Sequence, residues 1–301
     1  GLIEQGGCFG PNERIATDKG LIPAQELVER IEAGEEFFAH THKGLRRIVD
    51  KFRNGVKPLY QVTTKRGYSV QITEDHKVAV LMDGQVITMP LKFLQAGDEI
   101  LTLLGDGIEK EYVNLAPVEY DRSVMSTTLN TNVTMPTELS EDLAYFLGYF
   151  HGDGYVQIGK KVNWEAPKAI KLATADNYPA IRERLVDTIQ ALFNIEPTIE
   201  NGDGACANVS VYSRLLIEWM IQYGLLKDKS ENIRVPELIF RSPSSVMNAF
   251  VAGYFDADGC NRGRKGGYGI DSISHEMLED VQQLLAISGI VSHIATQERN
   301  G

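Results

Sequence analysis

Two aspartates end two stretches of the sequence that share one pattern. Asp153 closes Phe-Leu-Gly-Tyr-Phe-His-Gly-Asp, Asp258 closes Val-Ala-Gly-Tyr-Phe-Asp-Ala-Asp, and a glycine follows each. Such a repeat predicts two related halves that pack against each other through these apolar stretches. Packing would bring the two carboxylates side by side, where they repel each other and favour a divalent cation between or beside them. This combination is suited to the metal-assisted hydrolysis of a phosphodiester.

The elements that must position these carboxylates are two apolar helices. We expect the small residues Gly148, Ala252 and Gly253 to let the helices approach closely. After the first motif, periodicity predicts strands at residues 170–174 and 208–212 and helices around 181–192 and 215–223. After the second motif it predicts a strand at residues 268–273, the start of a further strand after Gly289-Ile290, and between them a helix that contains Leu278, Val281, Leu284 and Leu285. The second repeat is therefore expected to be shorter than the first.

The N-terminal third has a different character. Strand-like runs begin at Tyr60, Tyr68 and Lys77, with turn signals between them, and one short amphipathic helix is expected within residues 23–32. A compact all-β domain over residues 8–112 follows from this pattern. Residues 113–137 are polar and rich in Thr and Asn, which is typical of a linker. We assign the two repeats to residues 138–225 and 226–301.

Composition limits the compartment and the partners. The 301 residues contain three cysteines without paired spacing, which predicts a reducing compartment, and we expect a cytoplasmic protein with no membrane contact. The formal net charge is −11, so any surface that binds nucleic acid must be locally basic. Basic residues do follow each motif, namely Lys160 and Lys161 after the first and Arg262, Arg264 and Lys265 after the second.

The paired motifs resemble those of LAGLIDADG homing endonucleases. The resemblance implies that Asp153 and Asp258 hold Mg²⁺ and that Gly152 and Ala257 lend backbone carbonyls. It also implies that a β-ribbon begins near the basic residues and lies in the major groove of a long double-stranded DNA site.

One position departs from the pattern of that family. Many relatives carry a catalytic lysine before an Arg-Val-Pro element, whereas here Ile233 precedes Arg234. Lys227, Lys229 or Arg234 are the candidate substitutes, and arginine suits charge stabilisation better than proton transfer.

The N-terminal third resembles the splicing domain of inteins, also called the Hint fold. Thr73-Glu-Asp-His76 and the later Gly97-Asp segment match its motifs in register with Cys8. The resemblance implies that Cys8 attacks the carbonyl of Gly7, exchanging an amide for a thioester. His76 is then expected to protonate the leaving amine, and Thr73 to orient His76 or stabilise the oxyanion. Residues 1–7 become the tail of a host protein that stays covalently attached.

Together the two resemblances predict a multidomain protein, an intein with a nested endonuclease. An incomplete all-β Hint domain is followed by an α+β LAGLIDADG nuclease with two pseudo-symmetric αββαββα halves, the second truncated. The expected C-terminal splicing segment, with a histidine and a terminal asparagine, is not found, so we expect it to be lost or supplied by a second chain in trans. Two alternatives stay open: a DNA-binding module of this fold that does not cleave, and an autoprocessing domain from a secreted precursor.

Overall fold

A computed structural model describes residues 7–53, 55–105, 107–116, 133–161, 164–202, 204–227, 230–263 and 267–296. At residues 160, 161, 164–166 and 230 it describes only the backbone. The chain divides into two compact units, residues 1–110 with 282–301 and residues 111–281. Residues 282–301, which the sequence assigns to the second repeat, thus cluster with the N-terminal unit.

The first sheet of the N-terminal unit is antiparallel, in the order β2-β1-β3-β4. Its strands and the helix within it are β1 (Arg14–Thr17), β2 (Gly20–Pro23), α1 (Ala24–Glu32), β3 (Phe38–Thr41) and β4 (Gly44–Arg47). The predicted amphipathic helix is α1, which buries Leu27 against Ile22 and Phe37. The spacing of the apolar residues in α1 accounts for this one-sided burial.

The remaining strands of this unit form a two-stranded and a three-stranded antiparallel sheet. They are β5 (Tyr60–Thr63), β6 (Ser69–Ile72), β7 (Lys77–Met82), β8 (Gln85–Pro90) and β9 (Glu99–Ile100), with a 3-10 helix at Leu91–Phe93. The predicted strands are confirmed as β5, β6 and β7. The β7–β8 hairpin turns through Asp83 and Gly84, whose φ angles of 49° and 75° suit a primed hairpin turn.

The second unit begins with a buried helix followed by a four-stranded antiparallel sheet in the order β10-β11-β13-β12. Its first elements are α2 (Glu141–Asp153), β10 (Gly154–Lys161), β11 (Trp164–Ala175), α3 (Pro179–Phe193), β12 (Thr198–Asn201), β13 (Cys206–Val211) and α4 (Arg214–Gln222). The Ser140 side chain caps α2 by accepting a hydrogen bond from Leu143 N. Buried residues on both sides of α2 explain why its sequence is apolar all round.

Within the described residues, the second half contains fewer elements than the first. They are α5 (Glu237–Phe240), α6 (Ser244–Asp258), β14 (Gly259–Asn261), β15 (Tyr268–Ile270) and α7 (His275–Ile287). The predicted strand and helix are confirmed as β15 and α7. A further strand, expected to begin after Gly289, is not formed among the described residues up to 296.

Candidate functional sites

Helices α2 and α6 meet backbone to backbone. A Cβ atom added at Gly148 would lie 2.0 Å from the carbonyl oxygen of Phe250, and one added at Gly253 would lie 2.1 Å from that of Tyr145. Only glycine fits at such distances, so the expected role of Gly148 and Gly253 is confirmed. The expectation for Ala252 is wrong because that residue is exposed on α6.

The contact between the two helices continues to their C-terminal ends. A Cβ added at Gly152 would lie 2.4 Å from the Cβ of Ala257 and 3.2 Å from Oδ2 of Asp258. The end of the first motif therefore adjoins the carboxylate of the second. Both predicted carboxylates thus share one end of the helix pair.

Burial, together with neighbouring charges, raises the pKa values of the two aspartates at this end. Asp153 keeps access to solvent, yet the surrounding protein removes part of its hydration and, with the nearby Asp258, raises its pKa to about 6. Burial raises the pKa of Asp258 as well, and Lys227 opposes the shift at both aspartates. Two carboxylates in this state favour a cation beside them.

Lys227 supplies a positive charge from the loop after α4. Its Nζ donates to the carbonyl oxygens of Gly152, at 2.7 Å, and His151, at 3.3 Å. Burial lowers the pKa of Lys227, while the two aspartates oppose that shift. No helical or strand periodicity marks this loop residue, and sequence reasoning offered it only as one of three substitutes for the missing lysine.

His151 and Asp256, which lie two residues before Asp153 and Asp258, do not share the metal-binding role expected of those aspartates but contact the neighbouring helix or their own backbone. His151 is buried, and its Nδ1 lies 2.8 Å from the carbonyl oxygen of Leu147, so it donates as the neutral tautomer. Burial lowers its pKa to about 4. Asp256 accepts a hydrogen bond of 2.7 Å from the hydroxyl of Tyr145. The Arg184 guanidinium lies over the Tyr145 ring, 3.5 Å from the ring centre. Both residues contribute to packing between helices.

The other predicted basic residues are only partly described. Arg234 forms a two-point ion pair with the buried Asp280, at 2.7 Å for each hydrogen bond, and Arg262 pairs with Asp271. Lys160 and Lys161 lie on β10, but their side chains are outside the description. Lys229, Arg264 and Lys265 lie outside the described residues. The guanidinium of Arg234 is therefore engaged by Asp280.

The four-stranded sheet carries a polar cluster that was not predicted from the sequence. Glu200 on β12 accepts hydrogen bonds from Lys171, Ser210 and Tyr212, and Lys171 lies opposite Tyr155 on β10. The signal lay in alternate polar residues of β12 and β13, which strand pairing brings to one face: Thr198 and Glu200 on β12, and Asn208 and Ser210 on β13. On this face Lys171 is buried and ion-paired with Glu200, whereas the Tyr155 and Tyr212 side chains are exposed.

The described residues contain no group of three or more His, Cys, Asp or Glu side chains placed to hold a metal ion. Mg²⁺ commonly binds one or two carboxylates and completes its shell with water or phosphate oxygens. The two aspartates at the ends of α2 and α6, beside backbone carbonyls, fit that requirement.

A second candidate site lies in the N-terminal unit, around the peptide that joins Gly7 to Cys8. Cys8 N donates to Oγ1 of Thr73 at 2.8 Å, and Thr73 N donates to the carbonyl oxygen of Cys8 at 3.0 Å. Gly10 N donates to the carbonyl oxygen of Gln71 at 2.7 Å. Residues 8–10 thus run as an extra edge segment beside the end of β6.

His76 completes this second site. Its side chain is hydrogen-bonded to the backbone of Gly7, which raises its pKa, but burial lowers the pKa by more. The ring packs edge-on against Phe9 with centroids 4.4 Å apart. The structure therefore brings together Gly7, Cys8, Thr73 and His76. The Thr73 hydroxyl contacts the amide nitrogen of Cys8, whereas we expected it to orient His76 or bind the oxyanion.

Among the residues that the structure describes, no helix combines the length and apolar character needed to cross a membrane.

Comparison with known families identifies one segment of this chain. Residues 245–301 match the family model described as the LAGLIDADG-like domain. The matched segment contains α6 except its first residue, the second motif and α7, so the resemblance of that motif is confirmed.

Several curated proteins with different names resemble most of the chain. The alpha chain of the ribonucleoside-diphosphate reductase NrdEB of Bacillus subtilis is 24% identical over 257 residues, which cover 80% of this chain and 20% of that protein. An iron-sulfur cluster assembly SufBD family protein of Mycobacterium leprae is 24% identical, covering 99% and 33%. Elongation factor 2 of Methanopyrus kandleri is 23% identical, covering 97% and 30%. The chain spans about a fifth to a third of these relatives.

Solved structures of the homing endonuclease I-DmoI resemble part of the chain. Its complex with DNA and Mn is 20% identical, with a TM-score of 0.42 over 54% of this chain and 85% of that one. A structure of its mesophilic variants gives a TM-score of 0.43 over 54% and 84%.

Proposed function

We propose that this chain is an intein that forms a thioester at Gly7-Cys8 and carries a LAGLIDADG endonuclease in its second unit. The observation that carries the splicing proposal is the convergence of Thr73 and His76 on the peptide between Gly7 and Cys8. The pattern of relatives supports it. This chain resembles about a fifth of a reductase and just under a third of an elongation factor. Such a pattern is expected of an element that is inserted into unrelated host proteins.

The proposed first step is an acyl shift from nitrogen to sulfur. The Cys8 sulfur, as the thiolate, attacks the carbonyl carbon of Gly7 and forms a tetrahedral oxyanion. When the oxyanion collapses, the bond between the Gly7 carbon and the Cys8 nitrogen breaks. The nitrogen takes up the proton that the Cys8 thiol lost on becoming the thiolate and leaves as an amine, and a thioester joins Gly7 to the Cys8 sulfur.

The contacts suggest a role for each neighbour of this peptide. Burial lowers the pKa of His76, so its ring is mainly neutral at pH 7. The hydrogen bond with the Gly7 backbone raises that pKa, which means that the imidazole is the donor and the Gly7 carbonyl oxygen is the acceptor. A donor at this oxygen stabilises the oxyanion as it forms. The Thr73 hydroxyl accepts a hydrogen bond of 2.8 Å from the Cys8 nitrogen, so it is placed to hold the leaving nitrogen and to relay a proton to it. It would take up the proton that the Cys8 thiol gives up as it passes its own proton to the nitrogen. This proposal exchanges the roles first expected for Thr73 and His76.

Intact mass spectrometry after incubation with dithiothreitol tests the acyl shift. A thiol attacks the thioester, releases residues 1–7 and leaves the chain that begins at Cys8. The wild-type chain should lose this mass, whereas Cys8→Ala should not and His76→Ala should lose it more slowly. Equal loss from wild type and Cys8→Ala would rule out the proposed nucleophile.

The observation that carries the nuclease proposal is the shared end of α2 and α6, where Asp153 and Asp258 adjoin. These carboxylates would hold Mg²⁺ with help from the carbonyl oxygens of Gly152 and Ala257. The bound ion would polarise the phosphate and lower the pKa of an attacking water. We propose that Lys227 stabilises negative charge beside them, in place of the lysine that Ile233 replaces. The basic residues after each motif and the Lys171 face of the sheet would contact a long double-stranded DNA site.

A non-cleaving DNA-binding module is the second candidate function. The buried Ile233 at the lysine position and the engagement of Arg234 by Asp280 favour it. Host-gene DNA with the intein-coding segment removed separates the two functions, since cleavage in Mg²⁺ requires the nuclease. Asp153→Asn and Asp258→Asn should bind that DNA without cutting it. A wild-type gel shift without any nicking would favour the binding module.

A further inference from the structure

We propose that the residue before Cys8 must be glycine, because the backbone of His76 leaves no room for a side chain there. This inference rests on the proposed acyl shift and assigns it a substrate requirement. The intein would accept only a host segment that ends in glycine at the junction.

The space beside Gly7 is closed by main-chain atoms. A Cβ added to Gly7 would lie 2.1 Å from both the Cα and the backbone nitrogen of His76, and 2.5 Å from its Cβ. None of these three atoms moves when the imidazole changes rotamer. Any substituent at residue 7 must therefore displace a segment of backbone.

Hydrogen bonds hold both sides of this contact in register. On one side, the Cys8 amide, the Cys8 carbonyl and the Gly10 amide bind Thr73 and Gln71 at distances of 2.7–3.0 Å. On the other side, His76 N donates to the Thr73 carbonyl oxygen at 3.0 Å, and His76 O accepts from Leu91 N at 2.9 Å. The chain cannot slide away from His76 without losing several of these bonds.

The displacement would damage the reacting peptide itself. Moving a Cβ from 2.1 Å to ordinary contact at 3.4 Å requires a shift of more than 1 Å. The amide of Cys8 is adjacent to Gly7, and its bond to Thr73 is 2.8 Å long, so a shift of that size takes it beyond hydrogen-bonding range. Losing this bond removes the group proposed to hold the leaving nitrogen.

Thiol-dependent cleavage of the full chain tests the requirement. Gly7→Ala should slow the release of residues 1–7 by about tenfold or more, as expected for one lost hydrogen bond at the reacting group. Gly6→Ala adds the same methyl group one residue earlier and should cleave within about twofold of wild type. A Gly7→Ala rate equal to wild type, or an equal defect in Gly6→Ala, would overturn the proposal.

Amide hydrogen exchange separates this inference from the function on which it rests. In a Cys8→Ala background no thioester forms, but the residue-8 amide still has its Thr73 acceptor. Adding Gly7→Ala should increase exchange at that amide by about tenfold, with an unchanged melting temperature. Unchanged protection would overturn the steric inference, even if wild type cleaves. Absence of wild-type cleavage with lost protection would refute the acyl shift and leave the steric requirement standing.

Discussion

Gly148→Ala should destabilise the helix pair and disturb the carboxylates at its end. The new Cβ would lie 2.0 Å from the Phe250 carbonyl oxygen, a main-chain atom that no rotamer change can move. The two helices must therefore separate or slide. Because Asp153 lies one turn or so further along α2, its distance from Asp258 would change as well.

Two opposing effects set the magnitude. Alanine is a better helix former than glycine by about 1 kcal/mol. Overpacking a tight interior usually costs about 1–3 kcal/mol, and a backbone-to-backbone clash belongs at or above the upper end of that range. The clash wins, and we expect a net loss of about 2 kcal/mol. For a unit of this size, residues 111–281, that loss lowers the melting temperature by roughly 4–8 °C.

Calorimetry provides both readouts. Differential scanning calorimetry measures the melting temperature, and titration with Mn²⁺ measures metal affinity, which should fall in Gly148→Ala. Ala252→Gly is the matched control, since this exposed residue of α6 should cost about 1 kcal/mol through helix propensity alone and leave metal affinity unchanged. A Gly148→Ala chain that melts at or above the wild-type temperature would refute the described contact.

Three further predictions concern charged groups. The pKa of Asp153 is about 6 in the folded protein, against 3.8 for an ordinary aspartate. Between about pH 4 and 6 the unfolded chain therefore loses this proton more readily than the folded protein, so the free energy of unfolding without metal should fall over that range and level off above about pH 6. Urea titrations should show that Asp153→Asn flattens this fall; an unchanged pH profile would contradict the assignment. Lys227→Met should reduce DNA cleavage by about a hundredfold, with gel-shift affinity retained, because the charge beside both aspartates is lost. Cleavage at the wild-type rate would exclude a catalytic role for Lys227. Arg234→Ala removes both hydrogen bonds that the guanidinium donates to the buried carboxylate of Asp280 and should cost about 3 kcal/mol in urea unfolding, with a smaller loss in Arg234→Lys. Similar losses in the two variants would show that the paired hydrogen bonds of arginine contribute little.

The sequence determined the elements of this protein to a large extent. Apolar stretches that end in Asp153 and Asp258 predicted α2 and α6, and period-two alternation predicted β5, β6 and β7. These predictions succeed because each depends on which residues are apolar and at what spacing, which neighbours along the chain already set. The paired motifs carried the resemblance to LAGLIDADG endonucleases, and residues 245–301, which include the second motif, match the LAGLIDADG-like family model.

Only the tertiary structure decided which side chains face each other. Successive helix residues point about 100° apart, so the crossing of α2 and α6 selects Gly253 for the contact and leaves Ala252 exposed. Lys227 reaches the carbonyl oxygens of His151 and Gly152 from a loop, across a large gap in sequence. Pairing beside β6 likewise turns the Thr73 hydroxyl to the Cys8 nitrogen and sets Gly7 against His76. Sequence patterns report local geometry, whereas these contacts depend on distant segments that are brought together only when the core packs.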